Sequence, residues 1–246
     1  MRDKTILILG GTREALDLAA ALNANYRVIT SLAGRTKSPK KPVGELRVGG
    51  FGGVKALNDY LVSENIDIII DATHPFAATI SRNAAEAATL ANIPRTLLQR
   101  PPWQAGAGDR WENFATLQAA AENLKPNSRC FLTIGRQELA AFKSREDVWF
   151  LVRMIDAPAT PLSLANHAVV TGLPQASVND EKALMQKHNI DTLITKNSGG
   201  SLSAAKLKAA RELGLKVMMI QRPQTPAGNV VETVQAAERW LTNTLC

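Results

Sequence analysis

Residues 6–22 read "ILILGGTREALDLAAAL". Four strand-type residues, Ile6 to Leu9, run into Gly10, Gly11 and Thr12. A helix-type pattern follows, with apolar residues at Ala15, Leu18, Ala19 and Leu22. A strand that stops at glycine and turns at once into a helix is the opening of a β–α–β unit. Two physical demands produce such a turn. Glycine lets the helix pack closely on the strand, and it lets backbone N–H groups approach a phosphate at the positive end of the helix. Taken alone, the turn is compatible with either.

The same alternation continues along the chain. After "YRVITSL" and a Gly/Lys/Pro-rich loop come "ELRVGGFGG" (45–53), a helical stretch over 54–63, and the apolar run "IDIIIDATHPF" (66–76). That run predicts a strand covered on both faces. An alanine-rich helix over 77–91 and "RTLLQR" (95–100), stopped by Pro101 and Pro102, complete the first half. A second half repeats the pattern. "RCFLTIGRQELAAF" (129–142) is again strand, glycine turn and helix; "DTLITKNSGG" (191–200) leads into a further helix, and a last helix starts near Val231. The expected fold is α/β, with two Rossmann-like doubly wound parallel-sheet domains, 1–120 and 121–246. The junction is placed between Phe114 and Asn127, and the last helix is free to pack on either domain.

Bulk properties narrow the classes. With 246 residues, 45% hydrophobic and 21% charged, the chain can bury proper cores. It has no apolar run near the ~20 residues of a membrane span, and its N-terminal apolar stretch is too short for a signal peptide. Cys130 and Cys246 are the only cysteines, neither in a metal spacing, which is cytoplasmic usage. The net charge of +7 reads first as a solvated basic surface and second as a match to an anionic small molecule. Nucleic-acid binding is not expected, because aromatics are only 5% and the densest basic stretch, "RTKSPKK" (35–41), is short. Nothing in the sequence sets an oligomeric state.

In doubly wound folds the chemistry lies beyond the carboxyl ends of the strands. At the first end, Gly10, Gly11 and Thr12 depart from the GxGxxG pattern but keep the turn glycine, with Ala15 at the close-packing position. At the second, where an NAD-preferring protein places Asp or Glu, residues 18–44 contain no acid at all. Ser31, Gly34 and Arg35 stand there instead, suited to a 2′-phosphate, and NADPH is the expected cofactor. "GGFGG" supplies Gly50 and Gly52 as backbone wall, and "DATHPF" supplies Asp71, Thr73 and His74. His74 is the candidate proton donor and Asp71 its orienting partner, although a lone histidine equally caps a helix or positions a substrate. No metal cluster and no nucleophile–base set can be assembled.

The ordered motifs "GGTREA", "SLAGRT", "GGFGG", "DATHPFA", "RPPW", "GDRW", "FLTIGRQ", "TKNSGG", "AAKLKAARELGL" and "QRP" resemble the precorrin-6A reductase family of cobalamin biosynthesis along the whole chain. The resemblance implies two Rossmann-like domains holding NADPH and a corrin precursor in a cleft. It also implies reduction of one macrocycle double bond to give precorrin-6B. "TGLPQASVNDE" (171–181) departs from the Gly-Pro-Phe type of turn expected in that family. A precorrin-type tetrapyrrole carries several carboxylates, which arginine holds well. The substrate-binding candidates are therefore His74, Arg100, Arg136, Gln137, Lys196, Asn197, Ser198 and Arg222. Three alternatives stay open at this point: the cobalt-containing substrate, another NADP oxidoreductase, and a non-catalytic NADP-binding module. A carbonyl reductase would need a Tyr/Lys acid, and the two tyrosines, Tyr26 and Tyr60, fall in a strand start and a helix.

Overall fold

The computed structural model describes residues 4–34, 40–201 and 203–245. Its first strand, β1 (Thr5–Leu9), is buried at every position, and its side chains alternate between two cores. Ile6 and Ile8 pack with Ala15, Leu18 and Leu22 of α1 (Arg13–Leu22). Leu7 and Leu9 pack with Leu57 and Leu61 of α2 (Val54–Ser63) and with Ala84, Ala87 and Ala88 of α3 (Ala78–Leu90). β2 (Arg27–Leu32) and β3 (Glu45–Val48) lie on one side of β1; β4 (Ile68–Asp71) and β5 (Arg95–Leu98) lie on the other. A sixth strand, β12 (Asn229–Val231), closes the far edge beside β5, giving the parallel order β3-β2-β1-β4-β5-β12. The following helix, α7 (Val234–Leu245), buries Ala237 and Leu241 in the core of α1.

The second unit is built the same way. Its central strand is β7 (Arg129–Thr133), flanked by β8 (Trp149–Met154) and β9 (His167–Thr171) on one side, and by β10 (Thr192–Lys196) and β11 (Lys216–Ile220) on the other. The edge strand is β6 (Arg110–Phe114), so the parallel order is β9-β8-β7-β10-β11-β6. Its helices are α4 (Leu117–Glu122), α5 (Val178–Lys187) and α6 (Ala205–Glu212). Where the repeat predicts a helix after β7, a 3-10 helix forms over Arg136–Phe142.

A short local signal sets the helix-to-strand turns in both units. α2, α3 and α5 end at Asn65, Asn92 and Asn189 with φ of 50°, 53° and 51°, and α6 ends at Gly214 with φ of 64°. The next residues, Ile66, Ile93, Ile190 and Leu215, donate their N–H groups back to Leu61, Ala88, Met185 and Ala210. This is the Schellman stop, with an apolar residue tucked behind the left-handed one. "NID" at 65–67 and at 189–191 adds a second function. Asp67 accepts the N–H of Thr5 at 2.8 Å, and Asp191 accepts that of Arg129 at 2.7 Å, so each aspartate caps the central strand of its own sheet.

The chain divides as Met1–Pro101 with Pro223–Cys246, and Pro102–Arg222. This differs from the expected division at residue 120. "RWENF" is an edge strand paired with β11 from Arg110↔Lys216 to Phe114↔Ile220, and β12 pairs with β5. Both edge strands are held by backbone hydrogen bonds rather than side-chain burial, so their composition shows no alternation.

Candidate active site

In the first sheet the strand order reverses at β1, and the loops after β1, β2, β3 and β4 meet at its carboxyl edge. Gly10 and Gly11 answer the two demands separately. A Cβ on Gly10 would come within 2.9 Å of Thr30 Cγ2 and 3.1 Å of Leu32 Cδ2, so this glycine is required by packing. Gly11 has φ of +114° and no heavy atom within 4 Å of where its Cβ would stand. Its backbone is open at the N-terminus of α1. Thr12 caps that helix: its Oγ1 accepts from Ala15 N at 3.2 Å and donates to Ala72 O at 2.7 Å, tying the first loop to the fourth. Gly49 and Gly50, after β3, also face open space. Gly52 (φ +89°) leads into α2, whose N-terminus has no side-chain cap. Gly34 lies against Val48, whose Cγ1 would be 3.2 Å from a Cβ there. Arg35 lies outside the described residues.

The loop after β4 is held from within. Asp71 is fully buried; its Oδ1 accepts from Thr73 N at 3.1 Å and from Thr73 Oγ1 at 2.7 Å. Its Oδ2 is buried without a hydrogen-bond partner. The aspartate thus shapes the turn through Thr73, and no bond to His74 is among its contacts. His74 is exposed, and its Nδ1 accepts from Phe76 N at 3.2 Å. That bond goes with the Nε2–H tautomer, in which Nε2 is the donor of the ring.

At the carboxyl edge of the second sheet the structure assembles Arg136, Gln137, Lys196, Asn197, Ser198 and Arg222, and most of them have protein partners. Arg136 Nη2 donates to Thr160 Oγ1 at 2.5 Å. Lys196 pairs with Glu138 Oε1, while Glu138 Oε2 accepts from Gly135 N at 2.9 Å. Asn197 bonds the backbone of Trp103 in both directions, at 2.7 and 3.0 Å, and its carbonyl accepts from Arg222 Nε at 2.8 Å. Ser198 is buried and Gln137 exposed. Arg100 belongs to the first unit, where it is ion-paired at 2.8 Å with Glu14 in the first turn of α1. A groove of about 470 Å³ lined by Lys125, Asp191 and Lys216 lies at the amino ends of β10 and β11, on the opposite edge.

Sequence reasoning missed three features. Arg47 of β3 reaches the carboxyl edge of the first sheet, with its guanidinium 3.7 Å from the centre of the Phe51 ring. In the second unit, Arg153 of β8 and fully buried Glu181 of α5 form a two-pronged pair at 2.6 and 3.1 Å. Gln175 N also donates to Glu181, which fastens the 171–181 loop to that pair. Beside them, burial pushes the Lys206 ammonium down to about 8, against a smaller opposing pull from Glu181, and the amine sits 5.2 Å from the Trp103 ring centre. Arg153, Glu181 and Lys206 come from three separate elements, so no local spacing announces them. Arg47 had a usable signal, a cation four residues before a phenylalanine set among glycines.

Two doubly wound units, each with glycine-rich and polar residues at the carboxyl edge, define a Rossmann-like α/β protein. The chain belongs to the precorrin-6x reductase CbiJ/CobK family, whose model matches residues 5–242. It is 48% identical over 240 residues to a precorrin-6A reductase of Rhodococcus erythropolis, covering 96% of each chain. It is 29% identical to a cobalt-precorrin-6A reductase of Priestia megaterium, covering 97% of this chain and 98% of that one. A solved structure described as CobK precorrin-6A reductase superposes with a TM-score of 0.93 at 39% identity, covering 98% of this chain and 96% of the other. Membership makes the protein an oxidoreductase of cobalamin biosynthesis acting on a CH–CH group.

Proposed function

We propose that this chain reduces one ring double bond of metal-free precorrin-6A to precorrin-6B with NADPH as the electron donor. The observation that carries this is the full-length match to a protein named precorrin-6A reductase at 48% identity, against 29% to one named for the cobalt form. The first carboxyl edge fits a dinucleotide. Gly11, Gly49 and Gly50 leave backbone exposed where any Cβ would fill the space, and the loop after β2 contains no acid to repel a 2′-phosphate. Bound there, NADPH supplies the hydride.

The chain's own residues do the rest. Gly10, Gly11 and Thr12 present the N-terminus of α1 to the pyrophosphate; Ser31, Gly34, Gly50 and Gly52 flank the ribose side. Asp71 and Thr73 keep the loop after β4 in shape, so that His74 offers its Nε2–H to the macrocycle. In the second unit Arg136 and Arg222 hold substrate carboxylates, with Gln137, Lys196 and Ser198 beside them. Asn197 positions Trp103 and Arg222. Arg100, paired with Glu14, acts on the first edge. We place the reaction in the cytoplasm, in keeping with the free, buried Cys130. No helix among the described residues is long and apolar enough to cross a membrane, and neither membrane nor nucleic acid is proposed as a partner.

The deciding experiment supplies purified protein with precorrin-6A or its cobalt form and with NADPH or NADH. Coenzyme oxidation with NADPH and the metal-free substrate alone is expected. Faster oxidation with the cobalt form would transfer the assignment to that substrate.

A further inference from the structure

At the carboxyl edge of the first sheet stands Arg47 of β3. Arg13 and Arg100, near the same edge, pair with Asp17 and Glu14. Arg47 instead donates from Nη1 to Ser31 Oγ at 3.3 Å and to Gly49 O at 2.5 Å, and from Nη2 to Gly50 O at 3.1 Å. No carboxylate among the described residues lies in ion-pair range of it. Its guanidinium stacks on Phe51, with Tyr60 5.1 Å away, and the two rings brace each other edge to face at 5.2 Å. Phe51 is the lone large residue of "GGFGG", and this contact explains its presence among four glycines.

The placement is built into the sheet. Ser31 and Arg47 are register partners across β2 and β3, so the serine hydroxyl and the guanidinium emerge together where β2 ends. Three of the five guanidinium N–H donors are engaged by these bonds and two are left over. A stacked, half-buried guanidinium loses little freedom on binding and, with only neutral partners, keeps its full charge for an anion. In doubly wound folds the residue beyond the second strand meets the adenosine ribose.

We propose that Arg47, held by Phe51, Ser31 and the Gly49–Gly50 carbonyls, grips the ribose 2′-phosphate of the cofactor and sets its preference for the phosphorylated dinucleotide. The inference rests on the reading that this edge holds NADPH. Its test is binding, measured by calorimetry on the intact chain with NADPH, NADH, 2′,5′-ADP and 5′-AMP. Wild-type protein should bind NADPH and 2′,5′-ADP at least tenfold tighter than NADH and 5′-AMP. R47Q should lose ten- to a hundredfold for the two 2′-phosphorylated ligands and less than twofold for the others. R47K, which keeps the charge but not the fork, should lose several-fold for the same two and carries the test if R47Q does not fold. Raised salt should erode the wild-type preference. Retained preference in R47Q overturns the proposal alone. Equal losses for all four ligands also overturn it, assigning Arg47 to the adenine or to the stability of the edge. A wild-type protein that does not distinguish NADPH from NADH overturns the cofactor reading itself.

Discussion

Substituting alanine at three glycines of the first carboxyl edge should separate packing from ligand contact. At Gly10 the new methyl meets Thr30 Cγ2 at 2.9 Å and Leu32 Cδ2 at 3.1 Å, and both neighbours are buried, at 0% and 8% exposure. Neither can withdraw, so G10A should cost ~1–3 kcal/mol, the usual range for overpacking. At Gly11 space is free, but φ of +114° is foreign to alanine, and the strain should cost a similar ~1–3 kcal/mol. Gly50 has neither obstacle: nothing stands within 4 Å and its φ is not positive. G50A should leave stability within ~0.5 kcal/mol of wild type. If a cofactor's phosphate or ribose lies against that backbone, it should still weaken NADPH binding tenfold or more, about 1.4 kcal/mol. Urea midpoints followed by circular dichroism, and NADPH titrations on the same samples, provide the two readouts. Unchanged NADPH affinity in G50A would refute the backbone-wall argument, and unchanged stability in G10A would refute the packing argument.

Three further outcomes are expected. For His74→Ala, with Nδ1 engaged by Phe76 N, the Michaelis constant should rise and turnover fall by less than about tenfold, with the shape of the pH–rate profile kept. A fall above about a thousandfold with the limb near ~6.5 gone would make His74 the proton donor. Arg153→Met should destabilise the protein by ~3–5 kcal/mol, because it strands the fully buried Glu181 carboxylate. Adding Glu181→Leu should recover more than half of that in chemical denaturation, and no recovery would show the loss to be one of packing. Lys206 is faced by Glu181, Arg153 and the Trp103 ring, and is held at about 8 against an ordinary 10.5. The unfolded state therefore binds the extra proton between those values, and stability should rise with pH across that window. At ~1.36 kcal/mol per pH unit the rise is about 3 kcal/mol relative to Lys206→Met. Parallel stability curves for the two proteins would contradict it.

Much of this molecule was legible along the chain because its signals are local. The run Ile68–Ile70 declared a strand covered on both faces, and "GGT" declared a strand-to-helix turn. The "NID" stop, found in both halves, and the "LGL" stop at 213–215 need only neighbouring residues to act. The family itself could be read from motifs spread over the whole length. Edge strands were a different matter: "RWENF" and "NVV" are defined by the strands beside them, 106 and 133 residues away in register, so their pairing moved the boundary from 120 to 101 and sent the last helix to α1. The same holds for charge. Sequence shows that Arg100, Lys196 and Arg47 are cations; it does not show that the first two face Glu14 and Glu138 while the third faces, among the described residues, a hydroxyl, two carbonyls and two rings. A hydrophobic period is written in consecutive residues. The neutralisation of a charge depends on which distant side chain the fold brings within about 4 Å, and only the tertiary structure decides that.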